Sequence, residues 1–190
     1  MKNQLVYFLG GVLALTSVSC KNDKKKEKDM EKKIEDLAKN SPNVNAGTGT
    51  FSIEAPAGWT KTDTTMMGFQ TVMMMSEQEG PGDNFRENIN VVTEKTGSTS
   101  FSNYMDMTEK NIAKMLTNYK EKDIRDITVD GVPAKEIQYS HTMQGYNFDV
   151  NAVILIKNGI AYVITASVEE GKMRKWQSDI DKTIASFHVN

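Results

Sequence analysis

The chain has 190 residues, with 23 Lys and Arg against 25 Asp and Glu and a net charge of −2. That balance excludes the broad basic field of a nucleic-acid-binding protein. Its one cysteine excludes an intramolecular disulfide framework.

Lys2 opens the chain, and Leu5 to Leu15 form an apolar run interrupted by Gly10 and Gly11. The run is too short to span a bilayer, which takes roughly 20 residues of helix, so residues 1–19 are expected to be a cleaved export signal. Ser17 and Ser19 stand just before Cys20. A thiol there is a substrate for diacylglycerol transfer, and cleavage at Ser19–Cys20 then leaves the protein held on a membrane by lipid. Ser17 occupies a position where lipoprotein signals usually carry Leu, and Ser17-Val18-Ser19 also suits ordinary signal peptidase. That alternative leaves Cys20 as a free, unpartnered thiol in an oxidising compartment. Acylation explains both the position and the solitude of the cysteine. Lys21, not Asp, follows it, so the expected address is the bacterial envelope, at the outer membrane in preference to the inner.

Residues 20–49 carry eight Lys against six acids, and residues 50–190 carry 14 Lys and Arg against 19 acids. The first stretch reads as a charged stalk and linker. Asp29 with Lys33 and Glu35 with Lys39 make favourable i,i+4 pairs, and Met30, Ile34 and Leu37 add a thin apolar stripe. Ser41-Pro42-Asn43 ends any helix, and Asn45 to Gly49 is linker. A globular domain is expected over 50–190.

Within it, Phe51 and Ile53 alternate with polar residues as in a strand, and Ala55-Pro56-Ala57-Gly58 turns the chain into Trp59. Phe69 to Met75 and Ile89 to Val92 predict further strands, joined by Gly80-Pro81-Gly82-Asp83. Phe101, Tyr104, Thr108, Ile112, Met115 and Tyr119 recur every three or four residues and predict an amphipathic helix. Strands return at Ile127 to Val129, Ala134 to Tyr139, Val150 to Ile156 and Ile160 to Ser167. Asn158-Gly159 between the last two is a strong hairpin signal, and its apolar arms predict a hairpin in mid-sheet. Glu169 and Glu170 favour a helix start, with Met173, Trp176, Ile180, Ile184 and Phe187 as its apolar stripe. The order gives an α+β domain with a mainly antiparallel sheet.

Candidate chemistry is sparse. His141 and His188 belong to no metal-spaced cluster, and both read as surface histidines. There is no G-x-S-x-G elbow, H-E-x-x-H or phosphate-binding glycine loop. Met66, Met67, Met73, Met74, Met75, Met105 and Met107 are a concentration of soft thioethers. Met73, Met75, Met105 and Met107 are the candidates for Cu(I), against the simpler reading of methionine as core filler or a permissive contact surface. Glu77, Glu79, Asp83 and Glu87 could offer oxygens to a hard cation, but lack the spacing of a calcium loop and read as a solvated acidic turn. Trp59 and Trp176 sit where core aromatics are expected.

Three stretches carry a resemblance: Phe51 to Trp59, Asp83 to Val91, and Thr128-Val129-Asp130-Gly131-Val132-Pro133-Ala134. Their Pro-x-Gly-Trp turn, Asn-containing strand and Asp-Gly-x-Pro-Ala turn, in this order, resemble the PsbP-like superfamily. That superfamily includes the extrinsic photosystem II subunit and the bacterial DcrB-like and LpqN-like envelope proteins. The resemblance covers Thr50 to Val189 and implies an antiparallel sheet with helices on both faces. It also implies an accessory binding protein without a shared active site, so the fold brings no mechanism with it.

The function expected is therefore a lipid-anchored, non-catalytic accessory or binding module of the bacterial envelope. It would be monomeric, without a cofactor, attached to the membrane through Cys20 and serving a protein or small-ligand partner. The alternatives are a Met-based copper-binding lipoprotein and a hydrolase whose residues converge only in space.

Overall fold

The computed structural model describes residues 49–190 apart from 67, 68, 82, 84 and 144, and the side chains at 64–66, 69 and 70 are also outside the description. Cys20, the apolar run and the charged stalk lie outside the described residues.

Seven strands form one antiparallel sheet: β2 (Thr60–Met66), β3 (Phe69–Met75), β4 (Asn88–Lys95), β5 (Thr117–Val129), β6 (Val132–Met143), β7 (Tyr146–Lys157) and β8 (Ile160–Glu169). Their spatial order is β2-β3-β4-β8-β7-β6-β5. Helix α1 (Phe101–Met115) crosses from β4 to β5, and helix α2 (Met173–Ala185) follows β8. Two-residue strands β1 (Phe51–Ser52) and β9 (His188–Val189) pair with each other at the ends of the domain. The fold is α+β as expected, with one helix packed on each face.

The turns follow from their residues. Asn158 and Gly159 take φ of 55° and 73°, the type I′ geometry that aligns a two-residue turn with strand twist. The hairpin β7–β8 that they close lies mid-sheet, and both strands are almost wholly buried. Asp130-Gly131 repeats this geometry between β5 and β6, with φ of 52° and 71°. Trp59 N–H donates to Pro56 O at 3.0 Å across a turn in which Gly58 has φ 80°.

Four expectations are corrected. The first helix ends at Met115 and not at Tyr119, because Leu116 is already extended and Asn118 has φ 54°. The chain then enters a 13-residue strand whose sequence is mostly polar. A second polar strand, β2, also carries no apolar alternation, and it is held by seven register pairs to β3. Glu169 ends β8, and α2 starts only at Met173 behind Lys172, which makes no side-chain cap bond. Strand β9 extends the C-terminus beyond the helix.

Strand alternation divides the core in two. On one face α2 supplies Ile180 and Ile184, which pack with Phe187 on Ile89, Val91, Met74, Val153, Leu155, Tyr162 and Ile164. On the other, α1 supplies Tyr104, Met105 and Ile112, which pack with Phe85 on Ile137, Tyr139, Phe148, Val150, Ala152, Ile154 and Val163. Ser100 caps α1 by accepting from Asn103 N–H at 3.3 Å.

Candidate functional site

The sequence candidates do not converge. Met73 and Met75 share the α1 face of β3, and Met74 lies in the opposite core. Met105 is buried beneath α1, while Met107, two residues on and so turned about 200° around the helix, is only partly buried. Trp59 and Trp176 meet edge-to-face at 5.4 Å against the α2-side core, so they are core aromatics.

The two histidines separate. His188 is exposed, as expected, and its Nδ1 meets the Asp130 carboxylate. His141 is buried, contrary to expectation, because β6 runs on past Tyr139 to Met143 and alternation turns it inward. It lies between Tyr139 at 6.0 Å and Phe148 at 5.7 Å. Burial lowers its pKa, and the Thr142 backbone opposes this without reaching hydrogen-bond geometry.

Asp130 joins the chain ends to the sheet. Its Oδ2 accepts from Val189 N–H at 3.0 Å and from Lys157 Nζ at 3.2 Å. These bonds, the Val189 one foremost and those from His188 and Lys157 behind it, hold its pKa down to about 2 against opposing desolvation. The Asp-Gly turn thus clamps the C-terminal strand, and its Asp–His pair serves in that clamp.

The acidic loop is likewise committed. Lys172 Nζ stands 3.6 Å from Glu79 and 3.7 Å from the fully buried Glu87, and pairs with Glu169. Lys175 pairs with Glu79 and lies 4.7 Å above the Trp176 ring. Two of the four carboxylates that suggested a cation, Glu79 and Glu87, therefore flank a lysine ammonium, which fastens the β3–β4 loop to the start of α2, while Asp83 accepts from Glu79 N–H at 2.8 Å and Phe85 N–H at 3.2 Å. This is a paired cluster, not the simple solvated turn expected. A cleft of about 350 Å³ between β5 and α2 is lined by Arg125, Asp130, Glu136 and Asp181. Glu136 there is already held by Arg125 and by Asn151 Nδ2 at 2.7 Å.

What sequence reasoning missed lies on the α1 face of β4 and β8. Register places Asn88 opposite Ser167 and Asn90 opposite Thr165. Alternation from Val163 puts all four on the α1 side. Cross-strand and i,i+2 spacings make them the corners of a rectangle roughly 5 by 7 Å. All four residues are at most 5% exposed. Asn88 Nδ2 donates weakly to Arg86 O at 3.4 Å. Asn88 Oδ1, both amide atoms of Asn90, Thr165 Oγ1 and Ser167 Oγ have no hydrogen-bond partner among the described residues. Each unpaired buried group costs about 1–3 kcal/mol. The signal was present as Asn88-x-Asn90 and Thr165-x-Ser167, two polar pairs at period two inside apolar strands.

Glu94, further along the same face of β4, is 6% exposed and accepts from Tyr104 OH at 2.9 Å. Desolvation lifts its pKa to about 7, although the Tyr104 bond pulls the other way. It is a carboxyl largely neutral at the pH where surface carboxylates are charged.

Among the described residues no group of three or more His, Cys, Asp or Glu is placed to hold a metal. No described helix is long and apolar enough to cross a membrane.

A seven-stranded antiparallel sheet between two helices defines the class as an α+β domain with one helix on each face of the sheet. The family model of the PsbP-like proteins matches residues 13–189, and the chain belongs to that family. The match begins within the N-terminal apolar run, upstream of Thr50. Solved structures share the fold at low identity. LpqN of Mycobacterium tuberculosis, described as involved in cell envelope biogenesis, aligns with TM-score 0.60 at 13% identity over 83% of this chain and 96% of its own. PA94 of Pseudomonas aeruginosa, a protein of unknown function, aligns with TM-score 0.56 at 15% identity over 74% and 96%. The cyanobacterial PsbP of Synechocystis sp. PCC 6803 aligns with TM-score 0.55 at 17% identity over 78% and 92%. No curated protein matches the sequence.

Proposed function

We propose that the protein is a lipid-anchored, non-catalytic accessory or binding module of the bacterial cell envelope. Residues 1–19 are its signal, 20–49 its lipidated tether and 50–190 its working domain. The observation that carries the reading is Cys20, a solitary thiol placed directly after an export-type apolar run and before a charged stalk. Two or three acyl chains, each buried methylene contributing about 0.8 kcal/mol, give stable attachment. The cell-envelope role of LpqN, a protein of the same fold, supports the address. The commitment of the His188–Asp130 pair and the Glu79–Lys172 cluster to holding elements together supports a binding module over a hydrolase. The expected partner is a protein or a small ligand, and the domain acts as a monomer.

Membrane fractionation of Cys20→Ser tests the anchor. The variant is expected in the soluble fraction, or as an unprocessed precursor. Unchanged membrane retention with normal cleavage overturns the reading. Crosslinking in intact cells, with recovery of one stoichiometric partner that the Cys20→Ser variant loses, tests the accessory role.

A further inference from the structure

The enclave formed by Asn88, Asn90, Thr165 and Ser167 gathers more unpaired buried polar atoms than any other neighbouring pair of strands among the described residues. On the opposite face the same two strands present Ile89, Val91, Ile164 and Ala166, all buried among apolar residues, and Asn151 beside Ala166 is bonded through its Nδ2 to Glu136 at 2.7 Å. On the α1 face the flanking residues are again apolar, Met73 beside Asn90, Val150 beside Ser167 and Ala152 beside Thr165. Nothing in the strand geometry calls for four polar side chains here, since β-branched or apolar residues fill such positions equally well. Five of their polar atoms find no partner in the described protein and lie out of reach of solvent. Buried polar groups are ordinarily paired with protein or ordered water, so these atoms call for a partner that the facing apolar side chains do not supply.

We propose that this enclave is a binding site for a small uncharged molecule that offers a hydrogen-bond donor and acceptor together, as a carboxamide or a vicinal diol does. The chemistry of the corners sets the class. Asn90 supplies two donors and an acceptor, Asn88 an acceptor, and Thr165 and Ser167 each a hydroxyl that donates or accepts. None of the four carries a charge to neutralise an ion, and a buried ion without a counter-charge is strongly disfavoured. The apolar walls, including the adaptable thioether of Met73, suit a compact molecule with a short carbon frame.

The enclave is shut in this structure, so entry requires the cover to move. The cover on this face is formed by helix α1 and Phe85. Helix α1 contributes only Tyr104, Met105, Thr108 and Ile112 as buried residues. Phe85, which stacks on Phe148 at 4.7 Å, is carried by the segment between β3 and β4, outside any strand. A displacement of α1 or of Phe85 leaves the sheet hydrogen bonds intact. The alternative occupant is internal water, which occurs at about one molecule per 27 residues and makes about three hydrogen bonds each. The inference does not depend on anchoring through Cys20.

The test is a titration of the isotope-labelled full chain with acetamide and ethylene glycol, and separately with acetate, which matches acetamide in shape but carries charge. The side-chain amides of Asn88 and Asn90 and the backbone amides of Thr165 and Ser167 report binding by NMR. Saturable shifts at these four residues are expected for at least one neutral probe at about millimolar concentration, as befits a ligand of four heavy atoms. Acetate should bind at least about tenfold more weakly. Thr165→Val, and separately Asn90→Leu, should abolish the shifts while melting at the same temperature as the parent or higher, because each removes an unpaired group. Thr165→Val keeps the shape of the side chain and tests the idea even if Asn90→Leu folds poorly. No saturable response to either neutral probe, or an equal response to acetate, overturns the proposal. Melting of Thr165→Val below the parent, with probe shifts unchanged, also overturns it and assigns the enclave to structural water only.

Discussion

The two faces of the central sheet are built from the same strands and do different things. Facing α2, β4 and β8 present Ile89, Val91, Ile164 and Ala166, and Phe51, Tyr162 and Phe187 stack at 5.4 to 6.1 Å. Facing α1, they present Asn88, Asn90, Thr165, Ser167 and, further along, Glu94. A period of two lets one strand serve both purposes without compromise, because neighbouring residues never share a face. The α2 side concentrates apolar packing. The α1 side carries unpaired and partly desolvated polar groups that cost stability.

The comparison breaks first if the α2 face is not the stabilising one. Phe187 is 2% exposed and closes an aromatic group with Phe51 and Tyr162. Phe187→Ala is expected to cost about 3–5 kcal/mol in urea unfolding. A loss below about 1 kcal/mol would place the stabilising core elsewhere.

Glu94 sharpens the contrast, because its face should become less stable as pH rises. Its folded pKa near 7 exceeds the ordinary 4.5, so between those values the folded state keeps a proton that the unfolded state has released. The favourable contribution is complete below about pH 4.5, declines as pH rises towards about 7, and is gone above that, where the carboxylate is charged in both states. Glu94→Gln removes the dependence and retains an acceptor for Tyr104. The variant should match the parent near pH 4 and exceed it by up to about 3 kcal/mol at pH 8, as 1.36 kcal/mol per pKa unit implies. Parallel stability curves for the two proteins from pH 4 to 8 would show that Glu94 is not desolvated.

Gly159 belongs to neither face and serves as the control. Its φ of 73° disfavours a branched side chain, and a Cβ there would meet Gly97 O at 3.4 Å. Gly159→Val should cost about 1–3 kcal/mol, and should leave the pH dependence due to Glu94 unchanged. The smallest effect is at Lys175. It lies off the apolar stripe of α2, yet its ammonium pairs with Glu79 and covers Trp176. Lys175→Ala should cost roughly 0.5–1 kcal/mol, part of it lost in high salt.

Apolar strands were legible in the sequence and polar ones were not. The arms of the β7–β8 hairpin, the turn at Asn158-Gly159 and the stripe of α2 all carry their signal in side-chain chemistry. Strands β2 and β5 are the two edges of the sheet, and edges bear Thr, Lys, Asp and Glu where inner strands bear Val and Ile. Their pairing comes from a neighbour strand that no local window contains. Tyr119 extended the helical period by coincidence, and only the φ of Asn118 and the register with β6 place it in a strand. A strand ending at Tyr139 leaves His141 at the surface, whereas β6 runs on to Met143 and buries it. The enclave was legible as two pairs of polar residues at period two, but became a site only when register set the pairs side by side.

The chain enters and leaves the domain at one corner, where Asn190 N–H donates to Thr50 O at 3.0 Å and β1 lies antiparallel to β9. Gly49 sits directly against Tyr162, at an approach that a Cβ would block. A pull on the chain ahead of Gly49 would load this corner one rung at a time, as a zipper opens, without shearing many bonds together. Strand β9 is held independently by Asp130, while the chain after β1 is held by Glu54 N–H donating to Ser186 Oγ at 2.9 Å and Lys61 Nζ donating to Ile53 O at 2.7 Å. Because Phe51 and Ile53 belong to the α2-side core, a force entering at Gly49 would reach that core as soon as the rungs to β9 parted.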